Sequence, residues 1–297
     1  MENKNKSPRL FFFLKFSISF SLLFYLFNRT QFSAIKDSLE QVSLPLVFVA
    51  ISLLFLQCLA GSFRWCVVTK SIARSVPIWT SFKIILLGNF FNQFLPSSAG
   101  GDIMRVWYVR SIGLSTRMSI ATILIDRLLA LLALGALITI TFPITYYLVD
   151  DSLFRLSIFG SGILIFILFF LIYYARKIPR KYYGYKITEY IRKFSDATHL
   201  ILKERRTAIL LLSLSMIMHL ISGAVVYLIA ISLGVKVGLL ACLMLTQPVL
   251  LLTVIPVSIA GWGVREVGLI AVLSFVGVDN DNAFLVSIVF GILLIFI

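Results

Sequence analysis

Long apolar runs alternate with short polar segments over the whole chain. The runs cover approximately residues 10–27, 44–63, 119–148, 153–174 and 208–233, and shorter ones follow at 239–254, 267–278 and 283–297. Several approach or exceed the roughly 20 residues that an α-helix needs to cross a bilayer. The pattern predicts an all-α, polytopic membrane protein with about eight transmembrane helices.

Composition supports the same class. The chain is 60% hydrophobic and 13% charged, and its mean hydropathy is +0.99. A soluble protein would have to bury every apolar run in one core, which 297 residues cannot do. The formal net charge of +14 comes from cations that cluster at the ends of the apolar runs, which favours contact with anionic lipid headgroups over nucleic acid. No metal-ligand spacing is present among the cysteines, and no cofactor is indicated.

The distribution of cations predicts an orientation. Residues 176–206 contain ten Lys or Arg and three acidic residues, so the positive-inside rule places this loop and the N-terminus in the cytoplasm, for a protein of the cell (inner) membrane. Within the loop, Ile187, Ile191, Phe194 and Ile201 recur at roughly helical spacing. They predict an amphipathic helix that rests on anionic lipid.

Two similar stretches interrupt the apolar pattern, at residues 95–105 and 255–266. Each has Pro, then Ser two residues on, then Ala-Gly, then an Arg nine residues after the Pro. The apolar segment before the first stretch, residues 81–95, is short for a span and predicts a re-entrant or half-membrane helix. Irregular backbone at membrane depth survives only when it is buried in protein or lines a wet cavity.

The order of segments predicts a single integral membrane domain, residues 1–297, with two parallel repeats. Repeat one covers about 10–175, the basic loop 176–206 follows, and repeat two covers about 208–297, each repeat with a re-entrant or broken-helix motif. Such repeats place a binding site between them. The last helix ends at Ile297 without a basic or polar tail, so we expect a longer protein.

Placing a charged residue inside an apolar membrane segment costs free energy, so such residues usually face an opposite charge or a water-filled cavity. Asp126 and Arg127 are adjacent, hence about 100° apart on a helix. We expect each to pair with a charge from another segment: Asp126 with Arg105 or Arg265, and Arg127 with Asp102 or Glu266. A buried ionic network that only fixes helix register explains the same residues equally well.

The alternative to a purely structural network is a lipid phosphate site. Arg105 and Arg265 are the candidate phosphate ligands, because a guanidinium matches phosphate oxygens two at a time. Turns that open a helix would add backbone N–H donors. The further candidates for substrate binding are Asp102, Glu266, Asp126, Arg127, Asn89, Asn92, Gly100, Gly101, Gly261 and Gly263. Asn89 and Asn92 lie on one helix face, where hydrogen bonds between helices are an equally good account.

Three ordered motifs resemble a known family. They are Gly88-Asn89-x-x-Asn92 through Pro96-x-x-Ala99-Gly100-Gly101-Asp102-x-x-Arg105, then Ile125-Asp126-Arg127-Leu128, then Pro256-x-Ser258-x-x-Gly261-x-Gly263-x-Arg265-Glu266. The chain resembles the flippase-like transmembrane family, the transmembrane region of lysylphosphatidylglycerol synthases, in a stand-alone form without the aminoacyltransferase domain. The resemblance implies a membrane protein that handles a lipid with a charged headgroup.

Three functions are compatible with these residues and with the resemblance. The first is a flippase-like protein that binds and translocates a phosphate-bearing lipid, either an aminoacyl-phosphatidylglycerol or a polyprenyl-phosphate-linked sugar. The second is the membrane component of a phosphatidylglycerol lysyltransferase, with the chemistry on another domain, since the sequence has no nucleophile beside a base. The third is a non-transporting accessory subunit of envelope or glycolipid assembly. A second copy of the chain and an envelope-biosynthesis enzyme are the protein partners that we consider.

Overall fold

The computed structural model describes residues 7–30, 40, 42–94, 100–177 and 186–297, and every element in them is helical. The helices are α1 Ser7–Arg29, α2 Leu44–Ile72, α3 Ile78–Phe94, α4 Gly100–Ser111, α5 Thr116–Leu148, α6 Ser152–Tyr174, α7 Lys186–Lys203, α8 Arg205–Ser232, α9 Leu239–Val254, α10 Val264–Ser274 and α11 Asn280–Ile295, with a 3₁₀ turn Ala175–Lys177 after α6. The all-α prediction is confirmed.

Four of the described helices are long and apolar enough to cross a membrane. They are α2, α5, α6 with its 3₁₀ turn, and α8, while α9 and α11 are apolar but have only 16 residues each. The predicted half-membrane segment forms α3, which has 17 residues. The chain is therefore a multi-pass membrane protein.

Helix starts follow from local side-chain chemistry. The Ser115 hydroxyl accepts a hydrogen bond from the Met118 N–H at the start of α5, and Asp151 and Asp279 do the same for the N–H groups of Phe154 and Asn282 at α6 and α11. These caps satisfy backbone donors that have no partner within the helix. The polar turns between the apolar runs therefore define where the helices begin.

The largest core lies where α2 and α8 pack along each other and α9, α10 and α11 cover them. Leu54, Val225, Leu245, Leu269 and Val286 are almost fully buried there. On the other side of α8, α5 packs against α6 and α8. This arrangement brings the apolar faces of α2, α5 and α8 to the centre of the bundle.

The amphipathic helix predicted in the basic loop is α7, and it packs against the bundle as well as exposing part of its apolar surface. Ile201 is buried among Val68, Leu129 and Leu211, whereas Leu200 on the same helix is 60% exposed. Helix α7 therefore covers the end of the bundle where α2 ends and where α5 and α8 begin.

Candidate functional site

The first interrupted stretch places two short helices in close contact. Pro96 and residues 97–99 lie outside the described residues, and α4 begins directly after them at Gly100, which is buried. Gly101 donates its N–H to Asn92 Oδ1 at 3.0 Å, and a Cβ on Gly101 would overlap the Gly88 carbonyl oxygen. Gly101 is therefore required for the close approach of α3 and α4.

Helix α4 carries Arg105 into a buried ionic cluster. Arg105 Nη2 lies 3.5 Å from Asp126 Oδ2 on α5, and Arg105 Nη1 lies 3.4 Å from Asp102 Oδ1 on its own helix. Arg127 binds the other side of Asp102, with Nε 3.0 Å from Oδ2 and Nη2 3.2 Å from Oδ1. Of the expected pairs, Asp126 with Arg105 and Arg127 with Asp102 are the ones that the structure shows.

Arg64 completes this cluster, and the sequence analysis missed it. Its Nε lies 2.9 Å from Asp126 Oδ1, and its Nη1 donates to the Ser215 hydroxyl at 2.9 Å. The apolar run ends at Phe63, so Arg64 resembles one of the cations that flank a span, but α2 continues to Ile72. Gln57, Gly61 and Arg64 are spaced four and three residues apart, which puts them on one helix face and is the signal that identifies Arg64.

The cluster lies inside the bundle. Arg64 is eight residues before the end of α2, and Asp126 and Ser215 are each ten residues after the starts of α5 and α8. At a rise of 1.5 Å per residue these positions are roughly 12–15 Å from one end of the three helices. The charged groups of Arg64, Arg105 and Asp126 are 4–7% exposed as side chains.

A cavity of about 270 Å³ adjoins these charges. It lies between α2, α3, α4, α5, α8 and the end of α11, and its polar lining includes Gln57, Arg64, Asn89, Asn92, Gln93 and Arg105. Ligand pockets usually measure about 300–1,000 Å³, so this one has the size of a polar headgroup rather than of a whole lipid.

Three fully buried polar atoms of residues that line the cavity have no hydrogen-bond partner in the structure. They are Arg105 Nε, Gln57 Oε1 and Gln93 Oε1. An unpartnered buried polar atom costs free energy unless water or a ligand satisfies it. The two asparagines are engaged, since Asn92 accepts from Gly101 and Asn89 donates to Cys58 Sγ at 3.3 Å.

The second interrupted stretch forms a different kind of site. Ala260, Gly261 and Gly263 have φ values of 52°, 81° and 86°, so the chain turns sharply before α10. The Gly263 N–H is not free for a ligand, because it donates to Glu266 Oε2 at 2.5 Å. This turn also packs on α1, where the Ser19 hydroxyl accepts from the Ile259 N–H at 2.9 Å.

Arg265 is neutralised within its own helix. Its Nη2 and Nε lie 2.7 and 3.1 Å from Glu266 Oε1, which also accepts from the Ser287 hydroxyl at 3.2 Å. The guanidinium stacks on Trp262, 4.6 Å from the ring centre, and Gly291 leaves it space on α11. The structure thus does not bring Arg265 and Glu266 to the cavity that holds Arg105, and neither pairs with Asp126 or Arg127.

Comparison with known proteins agrees with this architecture. The family model for the lysylphosphatidylglycerol synthase TM region matches residues 12–297. The chain is also similar to a UPF0104 membrane protein of Methanothermobacter thermautotrophicus, with 23% identity over 274 residues, which cover 82% of this chain and 80% of the relative. The chain belongs to the lysylphosphatidylglycerol synthase TM region family.

Proposed function

We propose that the chain is a flippase-like membrane protein that binds a phosphate-bearing lipid by its headgroup and moves it across the membrane. The observation that carries the proposal is Arg105. Its guanidinium is buried on a headgroup-sized cavity, and its Nε has no partner. A guanidinium that is buried and incompletely bonded is suited to a phosphate oxygen.

The other phosphate contacts in this proposal come from the same cluster. Arg64 and Arg127 line the cavity beside Arg105, while Asp102 and Asp126 hold the guanidinium groups in place. The sequence pattern predicts the same role for Arg265 as for Arg105. Because Arg265 is neutralised by Glu266, we assign it the structural role of holding α10 against α11.

The membrane topology completes the proposal. We infer about eight crossings in two parallel repeats, each with one interrupted stretch, and with α3 as the short helix before the first of these stretches. The basic segment around α7 supports a cytoplasmic location for the end of the bundle that α7 covers, and hence for the N-terminus. The cluster then lies nearer the cytoplasmic surface than the outer one.

The test compares lipids that co-purify with the wild type and with Arg105→Gln in mild detergent, identified by mass spectrometry. We expect one phosphorylated lipid class to be enriched in the wild type and lost in the variant. The control is Arg110→Gln, which removes an exposed cation from the same helix and should leave the enrichment unchanged. Vesicles containing the protein and a fluorescent analogue of that lipid then measure translocation.

Two results would overturn the proposal. If neither the wild type nor Arg110→Gln retains a phosphorylated lipid, the cluster is structural and the accessory role in envelope assembly is favoured. If Arg105→Gln retains the lipid and translocates it at the wild-type rate, Arg105 is not the phosphate ligand.

A further inference from the structure

The ionic cluster beside the cavity has a buried half and an exposed half. In the buried half, Asp126 binds Arg64 and Arg105, and these three side chains are 4–7% exposed. In the exposed half, Arg127 holds Asp102 through two hydrogen bonds, and these side chains are 44% and 19% exposed. Because water competes for an exposed ion pair, the Asp102–Arg127 pair is the half of the cluster that separates more easily.

Arg127 also marks the mouth of the cavity. Of the described residues on the cavity lining, it alone is exposed. It is the twelfth residue of α5, about 16 Å from the start of a helix that is about 50 Å long, and the hydrocarbon core of a bilayer is only about 30 Å thick. Water and lipid headgroups can therefore reach the Arg127 guanidinium from the end of the bundle where α5 begins.

The exposed pair joins two helices that border the cavity. Asp102 is the third residue of α4, and its carboxylate accepts from Arg127 of α5 at 3.0 and 3.2 Å. Each side chain has another partner when the pair separates. Asp102 keeps Arg105 Nη1 at 3.4 Å, and Arg127 is exposed enough to be hydrated. Separation thus leaves no buried charge unpaired, which is the condition for two states of similar free energy.

On the basis of the proposed function, which makes the cavity a ligand site, we infer that the Asp102–Arg127 pair is a gate. While the pair is intact, it ties α4 to α5 and closes the mouth of the cavity. When the pair separates, the Arg127 side chain moves into the surrounding water and the cavity opens. An anionic ligand competes with Asp102 for the same guanidinium, so its arrival favours the open state.

Cys58 provides a probe of opening that requires no ligand. It lines the cavity and is 6% exposed, whereas Cys242 lies in the largest apolar core and is 0% exposed. The rate at which N-ethylmaleimide modifies a buried thiol depends on the fraction of the protein that is open at that thiol. Peptide mass spectrometry of the detergent-solubilised full chain measures both rates. A change at Cys58 without a change at Cys242 reports opening of the cavity, and a change at both reports unfolding.

Arg127→Gln should accelerate the modification of Cys58 by about two- to fivefold, the factor that corresponds to an exposed ion pair. Asp102→Asn should give a similar increase, and the double variant should be no faster than either, since all three remove the same contact. The matched control is Arg110→Gln, which removes an exposed cation from α4 and should leave the rate unchanged. Wild-type rates in both single variants would overturn the inference.

Salt tests the gate without a substitution. Raising the NaCl concentration from about 0.05 M to about 0.5 M screens an exposed ion pair far more than a buried one. The modification of Cys58 in the wild type should therefore accelerate towards the rate in Arg127→Gln, while the rate in Arg127→Gln stays constant. Equal acceleration in both proteins, or no acceleration in the wild type, would contradict the gate.

Lipid retention separates this inference from the proposed function. If Cys58 responds as expected but the wild type retains no phosphorylated lipid, the gate stands and the proposed function fails. If Arg105→Gln loses the lipid but neither Arg127→Gln nor salt changes the modification of Cys58, the lipid site stands and the gate fails.

Discussion

Arg105 and Arg265 follow two similar stretches of sequence but lie in different surroundings. Arg105 shares two carboxylates with two other arginines and lines a cavity. Arg265 has a carboxylate from the adjacent residue, an indole ring beneath it and the small Gly291 beside it. The first arrangement holds three guanidinium groups with two carboxylates beside a cavity, while the second pairs one guanidinium with one carboxylate.

The comparison shows that two stretches with the same pattern of residues can hold an arginine in different chemical surroundings. In both stretches the arginine lies on a short helix, Arg105 as the sixth residue of α4 and Arg265 as the second residue of α10. The two arginines differ in the carboxylates that other segments supply and in the space beside the cation, since Asp126 of α5 and a cavity adjoin Arg105 only. We can test this difference by removing one partner at a time.

The largest effect should come from Glu266→Ala. This change leaves Arg265 buried without a counter-charge, and the loss of one partner of a buried pair typically costs about 3–5 kcal/mol in the free energy of unfolding. Denaturation of the detergent-solubilised protein measures the change. Removal of the exposed carboxylate in Asp150→Ala provides the control and should leave stability close to that of the wild type.

A Glu266→Ala protein as stable as the control would mean that the second site is hydrated, and the contrast with the first site would disappear. Lipid retention by this variant, measured at a temperature where it remains folded, should match the wild type. Loss of the lipid from a folded Glu266→Ala protein would indicate that Arg265 and Glu266 contribute to lipid binding.

A smaller effect is expected for Gly101→Ala. The added methyl group would overlap the Gly88 carbonyl oxygen and lie 2.7 Å from Asn92 Oδ1, so α3 and α4 must separate. Overpacking of this kind costs about 1–3 kcal/mol in the free energy of unfolding. Because the shift moves Arg105, lipid retention should fall together with stability, and both are measured on the same preparation.

Gly160→Ala is the matched control for that substitution. A Cβ on Gly160 in α6 meets nothing within 4 Å, so stability and lipid retention should not decrease. Wild-type behaviour of Gly101→Ala would contradict the close packing of the two helices that present the site.

The smallest expected effect compares two serines. Ser215→Ala removes the hydroxyl that accepts from Arg64, and Ser287→Ala removes the hydroxyl that donates to Glu266. Ser215 and Ser287 are both 0% exposed, but Arg64 lines the cavity and Glu266 does not, so we expect cavity water to replace the first bond more easily than the second. We expect Ser287→Ala to lower the free energy of unfolding by about 1 kcal/mol more than Ser215→Ala, the net value of one hydrogen bond.

Unfolding curves for the two serine variants, measured side by side, check this difference. Equal losses would indicate that the two sites are equally hydrated. A larger loss for Ser215→Ala would indicate that the cluster around Arg64 is the drier of the two.

Much of the helical organisation could be predicted from the pattern of residues. The apolar runs correspond to helices, the polar turns contain the caps, and the spaced apolar residues of the basic loop form α7. The predicted helix ends were less accurate, because an apolar run marks only the lipid-facing part of a helix, and the helix can continue beyond it. Helix α2 continues nine residues past Phe63 to Ile72, and this extension contains Arg64.

The sequence by itself determined that this is a membrane protein, that the chain is interrupted at two glycine-containing stretches, and that its internal charges need partners. These properties depend on the free-energy cost of exposing a polar group to lipid, and that cost is set by the type of each residue. Only the tertiary structure decided which charges meet, since Arg64 and Asp126 are 62 positions apart and come together through helix packing. The cavity beside this cluster also depends on that packing, because the helices that enclose it are distant in sequence.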